Sequence, residues 1–276
     1  MCSENIYIAG RYNKFVRNLS QSPWIDKDDV RIKHSVQELI EDGLNAFLKF
    51  DKLVFSCSGR EDVDVRMLGR GRPFVFKVLN PWNPENYCAQ TLNAVQAYVN
   101  SKYKNQIRIR DLQVVTREDV SKHIKDGEES KTKEYRALCC CSRVLTNLDS
   151  ERLSSTRDLI INQKTPVRVL HRRSLTVRRR KIQKMAVQRV NIGDFESVSA
   201  EDIDQLFALS LVTEAGTYIK EFVHGDFGRT DPSLADLLTD CDTDLLELDV
   251  MVSFVFPFCE ACQLTCARPF NVVTTA

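Results

Sequence analysis

Immediately after the apolar run Leu53-Val54-Phe55, the chain places Arg60, Glu61, Asp62, Asp64 and Arg66 in one short charged stretch, within "CSGREDVDVRMLGRGRPF" (57–74). A carboxylate held beside guanidinium groups keeps its charge and a depressed pKa, which suits a nucleophile better than a proton donor. The acids Glu61, Asp62 and Asp64 could instead hold a divalent cation for phosphodiester cleavage. Against this, Glu61 and Asp62 are adjacent, so in extended backbone they point apart. The third reading is a solvated turn without chemistry. The stretch alone leaves all of these open.

Other reactive types are sparse or badly spaced. The four histidines, His34, His123, His171 and His224, form no pair at metal-ligand spacing. There is no glycine-rich phosphate loop ending in Lys-Ser/Thr and no strand–GxGxxG–helix unit, and "GRGRPF" lacks the helix that should follow it. No nucleophile elbow supports serine–histidine catalysis. Of the ten cysteines, Cys139, Cys140 and Cys141 are consecutive on an expected strand and alternate in direction, while Cys259, Cys262 and Cys266 lack a fourth zinc ligand. Free thiols in a reducing compartment are the expectation. Neither a metal nor a cofactor is expected.

Charge gives the next constraint. The net charge of +1 conceals a block from Lys164 to Gly193 that contains no acid, followed by an acidic stretch from Asp194 onward. The block carries Arg168, Arg172, Arg173, Arg178, Arg179 and Arg180 among its cations, with His171 between them. A run this dense, with no local acids to neutralise it, is the footprint of a polyanion partner. No run of about 18 apolar residues occurs, as a membrane helix would need. The opening "MCSENIYIAG" lacks the basic and apolar regions of a secretory signal. An intracellular site, nucleus or cytoplasm, and a monomer are expected.

Several elements must position these residues. The spacing of Ile32, Val36, Leu39, Ile40, Leu44 and Phe47 predicts an amphipathic helix over 32–48, and a second helix is expected over 86–100. Strands are expected near 53–56, 74–79 and 106–115, through "EYRALCCCSRV" and "RDLIINQKT", and along the basic block. "QLFALSLVTEAGTYIKEFVHGDF" reads as a strand, a turn at Gly216 and a short helix, and 233–246 as a further helix. Residues 5–25 show no clean period. Many antiparallel strands with interspersed helices predict an α+β cleft protein.

Longer strings carry a resemblance. "GRED" resembles the Gly-Arg-x-Asp signature of several pseudouridine synthase families, and "GTYIKEFVHGDFG" (216–228) their Gly-Thr-Tyr-Ile-basic motif. Together with "IYIAGRYNKFVRNLSQSPW", "QKTPVRVLHRR" and "LLELDV", these resemble the archaeal and eukaryotic tRNA pseudouridine-54/55 synthase family, the tenth of the pseudouridine synthases. The resemblance runs from about Ile6 to Val250. It implies the pseudouridine synthase fold, a central mixed, mostly antiparallel sheet flanked by helices with an RNA-binding cleft, and isomerisation of uridine in the tRNA T-loop without a cofactor. It makes Asp62 the catalytic aspartate and Arg60 the residue that fills the space of a flipped base. Tyr135 would stack on the uracil, Ile219 would wall the site, and Lys220 would pair with Asp62. The arginines of the basic block, with His171, would then track tRNA phosphates.

Relatives carry an additional N-terminal domain, so residues 1–250 are expected to be a catalytic domain without it and 251–276 a divergent tail. Two other readings remain: a non-catalytic RNA-binding protein acting on small-RNA precursors, and, from the acids alone, a metal nuclease using Asp62 and Asp64.

Overall fold

The alternating runs become strands of one sheet in the computed structural model, which describes residues 4–23, 34–120, 132–190, 195 and 203–253. The strands are β1 (Ile6–Lys14), β2 (Phe50–Cys57), β3 (Val65–Pro81), β4 (Ile107–Val115), β5 (Thr132–Cys141), β6 (Arg157–Lys164), β7 (Val177–Arg189), β8 (Leu206–Glu214), β9 (Thr230–Asp231) and β10 (Thr243–Ser253). Their order is β4-β1-β3-β10-β5-β8-β7-β6-β9, with β2 also pairing β3. Among these pairings only β3 with β10 is parallel, so the sheet is mixed and mostly antiparallel, as expected.

Helices cover the sheet. α1 (Val36–Phe47) opens with a capping box in which Ser35 and Glu38 satisfy each other's backbone N–H groups. Its apolar stripe packs on α2 (Ala89–Lys102), which lies against β4. α3 (Asn147–Ser155) rests on β7, and the short α4 (Ile219–His224) rests on β10 and touches α5 (Leu234–Leu237). The main core includes Ile8, Phe74, Phe76, Val95, Ile107 and Phe222, all at most 1% exposed. No helix among the described residues is long and apolar enough to cross a membrane.

What positions the charged loop is the length of β3. One edge of β3 follows β1, while its other edge pairs first with β10 through Val65–Met67 and then with β2 through Phe74–Pro81. The chain leaves β2 at Cys57 and returns at Val65, so residues 58–64 sit in the notch between β2 and β10. The seam is fastened by charge. The carboxylate of Asp249, 2% exposed, accepts hydrogen bonds from Arg66 at 2.7 and 2.6 Å and from Arg17 at 3.0 Å. Arg17 also donates to Glu247 at 2.6 Å and to the Asp64 carbonyl at 2.8 Å, tying the loop to β10.

Three expectations change. The stretch 57–74 is not one long loop: from Val65 onward it is strand, with Val65 and Met67 buried on one face. The helix expected over 233–246 shrinks to α5, and β10 starts at Thr243. Central pairing with β3 and β5 overrides the local preference there, with Glu247 and Asp249 buried against Arg17. Cys141 and Cys241 form a disulfide where free thiols were expected, while Cys57, Cys88, Cys139 and Cys140 are free. Cys259, Cys262, Cys266 and His123 lie outside the described residues.

Removing one member of a buried ion pair strands the other charge, at a cost of about 3–5 kcal/mol. Asp249→Ala should therefore lower the chemical-denaturation stability by about that amount, and an unchanged denaturation midpoint would show that the seam does not depend on this carboxylate.

Candidate active site

Glu61 decides which way the loop faces. Its carboxylate is buried, accepting from Tyr12 Oη at 2.5 Å and from Gln21 Nε2 at 3.2 Å, with Arg72 Nε 2.6 Å away. That last contact is an ion pair without hydrogen-bond alignment, and the Arg72 Nη1 instead donates to the Ser58 carbonyl at 2.7 Å. The Tyr12 hydroxyl is pushed well above its usual range, by burial first and by Glu61 second. With Glu61 turned into the core, its neighbour Asp62 turns outward. Gly59 makes the approach possible: its φ is +81°, and a Cβ there would lie 2.7 Å from Arg72 Nη1. Lys14, fully buried, donates to the Leu19, Asp62 and Val63 carbonyls at 2.8, 3.2 and 3.2 Å, holding the loop backbone from below. Burial lowers its ammonium to about 8, with Glu61 and Asp64 opposing.

Asp62 opens onto a cleft of about 480 Å³, within the range of small-ligand sites. One wall is apolar: Val65 from β3, Leu248 and Val250 from β10, Val169 and Ile219. Tyr135 and Lys133, alternate residues on β5, share the face toward the cleft. Burial raises the Tyr135 hydroxyl to about 12 despite Arg72, so the phenol stays protonated. Lys133 is lowered to about 8 by burial and then by Arg72, with Glu61 opposing.

The carboxylate of Asp62 meets two cations. Arg168 Nη1 donates to its Oδ2 at 2.9 Å, and Lys220 Nζ lies 3.7 Å from the same oxygen. Lys220 is closer to Asp64, at 2.6 Å. Burial opposes ionisation of Asp64, but the hydrogen bond and charge of Lys220 prevail and hold that carboxyl below its usual range. Arg168 is engaged on its other side as well, its Nε donating to Glu221 Oε1 at 2.6 Å.

The segment that delivers Lys220 is pinned locally. Thr217 Oγ1 donates to the Glu214 carbonyl at 2.8 Å, closing the turn at Gly216. The Gln163 amide, fully buried on β6, both accepts from Tyr218 N and donates to Tyr218 O, each at 2.9 Å. α4 starts at the next residue, with Ile219 buried and Lys220 facing the loop.

Arg60, Asp62, Tyr135, Ile219 and Lys220 all line the cleft, with Arg60 exposed. Arg168, Arg172, Arg173, Arg178 and Arg180 line it as well. His171 and Arg179 are not among its lining residues; Arg179 sits between Arg178 and Arg180 on a strand and takes the opposite face. The three acids weighed as an alternative metal set do not converge, because Glu61 is held by Arg72, Tyr12 and Gln21. Among the described residues no group of three His, Cys, Asp or Glu side chains is placed for a metal ion.

Sequence reasoning did not single out Lys133, Arg72, Glu221 or Leu248. Arg72 could have been found from the period of two along "RMLGRGRPF", had the strand been read to start at Val65. Leu248 was hidden by the helical reading of its approach.

This geometry can be set beside known proteins. The family described as "Pus10, C-terminal" matches residues 7–252. The chain belongs to that family. Relatives include tRNA pseudouridine synthase Pus10 of Homo sapiens, 48% identical over 245 residues, covering 89% of this chain and 43% of that protein. The Pus10 of Methanosphaera stadtmanae is 32% identical over 261 residues, covering 90% of this chain and 59% of that protein. The chain thus spans about half the length of the curated relatives it matches. A chain of a solved Cbf5-Nop10-Gar1 complex is similar with a TM-score of 0.46 at 16% identity, covering 88% of this chain and 48% of that one.

Lys133 gives a test of the cleft's electrostatics. Its ammonium is stabler in the unfolded chain, where it titrates near 10.5, than in the folded one, where it titrates at about 8. The cost of burying its charge is therefore full below pH 8 and fades as pH rises toward 10.5. Lys133→Met should be more stable than the wild type at pH 7 by on the order of 1 kcal/mol, with the gap closing by pH 10.5. Denaturation at a series of pH values measures this, and a pH-independent gap would contradict it.

Proposed function

We propose that this chain isomerises uridine to pseudouridine in the T-loop of tRNA, at position 54, 55 or both, with Asp62 as the reacting carboxylate. The observation that carries the reading is the placement of Asp62, from the Gly-Arg-x-Asp loop, against Lys220, from the Gly-Thr-Tyr-Ile-basic segment, inside one cleft. The names of the family's relatives, tRNA pseudouridine synthase, point the same way.

The reaction breaks the N1–C1′ bond, turns the uracil and joins C5 to C1′; the proton lost from C5 is matched by one gained at N1. The product is an isomer, so neither an oxidant nor a phosphate donor is needed. The target nucleotide must leave its stack to reach Asp62. Tyr135 offers a flat face for the base, and Ile219, Leu248 and Val250 exclude water around it. Arg60, exposed and lining the cleft, would take the space that the base vacates. Arg172, Arg173, Arg178 and Arg180 supply phosphate contacts, which give affinity and salt dependence rather than sequence readout. The proposal extends to a monomer working in the nucleus or cytoplasm, with small-RNA precursors as further ligands of the same basic wall.

An unmodified tRNA transcript tritiated at uridine C5 tests this directly. The chain should release tritium with or without chelator, and Asp62→Ala should reduce release by about a thousand-fold or more. Binding without release would leave a non-catalytic RNA-binding protein, and release abolished by chelator would point to metal chemistry.

A further inference from the structure

Glu221 is a buried charge that the proposed chemistry has not yet used. Its side chain is 2% exposed, one oxygen takes the Nε of Arg168 at 2.6 Å, and the other, Oε2, is buried without a hydrogen-bond partner. Leaving a buried polar atom unpaired costs about 1–3 kcal/mol, so stability alone does not account for a carboxylate here. Its neighbour in α4 is Lys220. Two consecutive residues of one helical turn thus govern both cations at Asp62: Lys220 directly, and Arg168 through Glu221.

Both cations approach the same oxygen. Arg168 Nη1 is 2.9 Å and Lys220 Nζ 3.7 Å from Asp62 Oδ2, while no hydrogen bond from the described residues reaches Oδ1. Arg168 cannot follow a rotation of Asp62 freely, because its Nε is held by Glu221 and its turn is tied by Val167 N–H to Asp226 Oδ2 at 3.1 Å. A guanidinium reaches the two carboxylates with separate nitrogens held in a fixed fork, whereas an ammonium would have to reach both from a single nitrogen.

We infer that Glu221, acting through Arg168, is a positioning residue that fixes the Asp62 carboxylate so that the oxygen turned away from both cations is the one presented to the nucleoside. This rests on the function proposed above. It also moves Arg168 from the phosphate-tracking set, where the basic block alone had put it, to the reacting carboxylate.

The two roles for Arg168 predict different kinetics. As a phosphate contact, Arg168→Met would raise KM and the tRNA Kd and reduce the salt slope of binding by about one. As part of the clamp, it should lower kcat about 10- to 100-fold, the scale of a small misplacement of a reacting group, with Kd and salt slope unchanged. Glu221→Gln should produce the same kcat loss, and Glu221→Gln with Arg168→Met should lose no more than either alone. Arg168→Lys should not rescue. If Glu221→Gln fails to fold, the partly exposed Arg168 variants still decide the matter. Wild-type kcat in Glu221→Gln, additive losses in the double variant, or effects of Arg168→Met confined to KM and salt slope would overturn the inference.

A wild type that releases no tritium would instead overturn the proposed function. The clamp is then judged by the Nε–H resonance of Arg168 in a 15N-labelled chain. It should shift on both Glu221→Gln and Asp62→Asn; a resonance indifferent to either variant removes the clamp.

Discussion

The buried contact between Glu61 and Arg72 is the constraint on which the rest of the site depends. A carboxylate and a guanidinium 2.6 Å apart in the core, with 1% and 3% of their side chains exposed, need further partners to offset desolvation. Tyr12, Gln21 and the Ser58 carbonyl supply them. Because successive side chains in extended backbone alternate, sinking Glu61 commits Asp62 to the other side. The direction that Asp62 faces is thus set by the buried acid beside it. Gly59 is the corollary, since the Arg72 guanidinium occupies the space that a side chain there would need.

Much of this was legible in the sequence, and for identifiable reasons. The alternation in "QIRIRDLQVV" and the stop at Gly216 are local signals, and both elements formed where they were expected. The charged stretch after β2 was visible because acids and arginines rarely crowd next to a buried strand without a reason. What failed was non-local. β10 is strand because β3 and β5 flank it, and the text around "DTDLLELDV" does not announce those neighbours. Arg168 illustrates the same limit. Among so many cations in its block it looked like one more phosphate ligand, and only the fold brings it to Asp62 and Glu221.

The cleft's cations divide into paired and unpaired ones. Lining it are nine Arg and Lys side chains and the two acids Glu61 and Asp62. Three of the cations are matched: Arg72 by Glu61, Lys220 by Asp64 and Asp62, Arg168 by Glu221 and Asp62. Among the described residues, Arg172, Arg173, Arg178 and Arg180 form no ion pair, although Arg178 and Arg180 make hydrogen bonds to Thr165 Oγ1 and the Arg179 carbonyl. Paired charges hold geometry, and unpaired ones attract counter-ions. A polyanion drawn to the unpaired arginines would therefore compete only weakly for the three paired cations.

That division also bears on the role proposed for Asp62 as a reacting carboxylate in a basic cleft. A lone carboxylate among nine cations would be expected to take a phosphate-like role, chelated on both oxygens and inert. Here the strongest cation contact reaches one oxygen, and the guanidinium that makes it is restrained by a second, buried carboxylate. Asp64 restrains Lys220 in the same manner, at 2.6 Å against 3.7 Å to Asp62. Each cation at Asp62 is shared with another acid, and no hydrogen bond from the described residues reaches its second carboxylate oxygen. The crowding of acids and arginines between 60 and 66, joined by two charges from α4 and one from the turn after β6, is the arrangement such sharing requires.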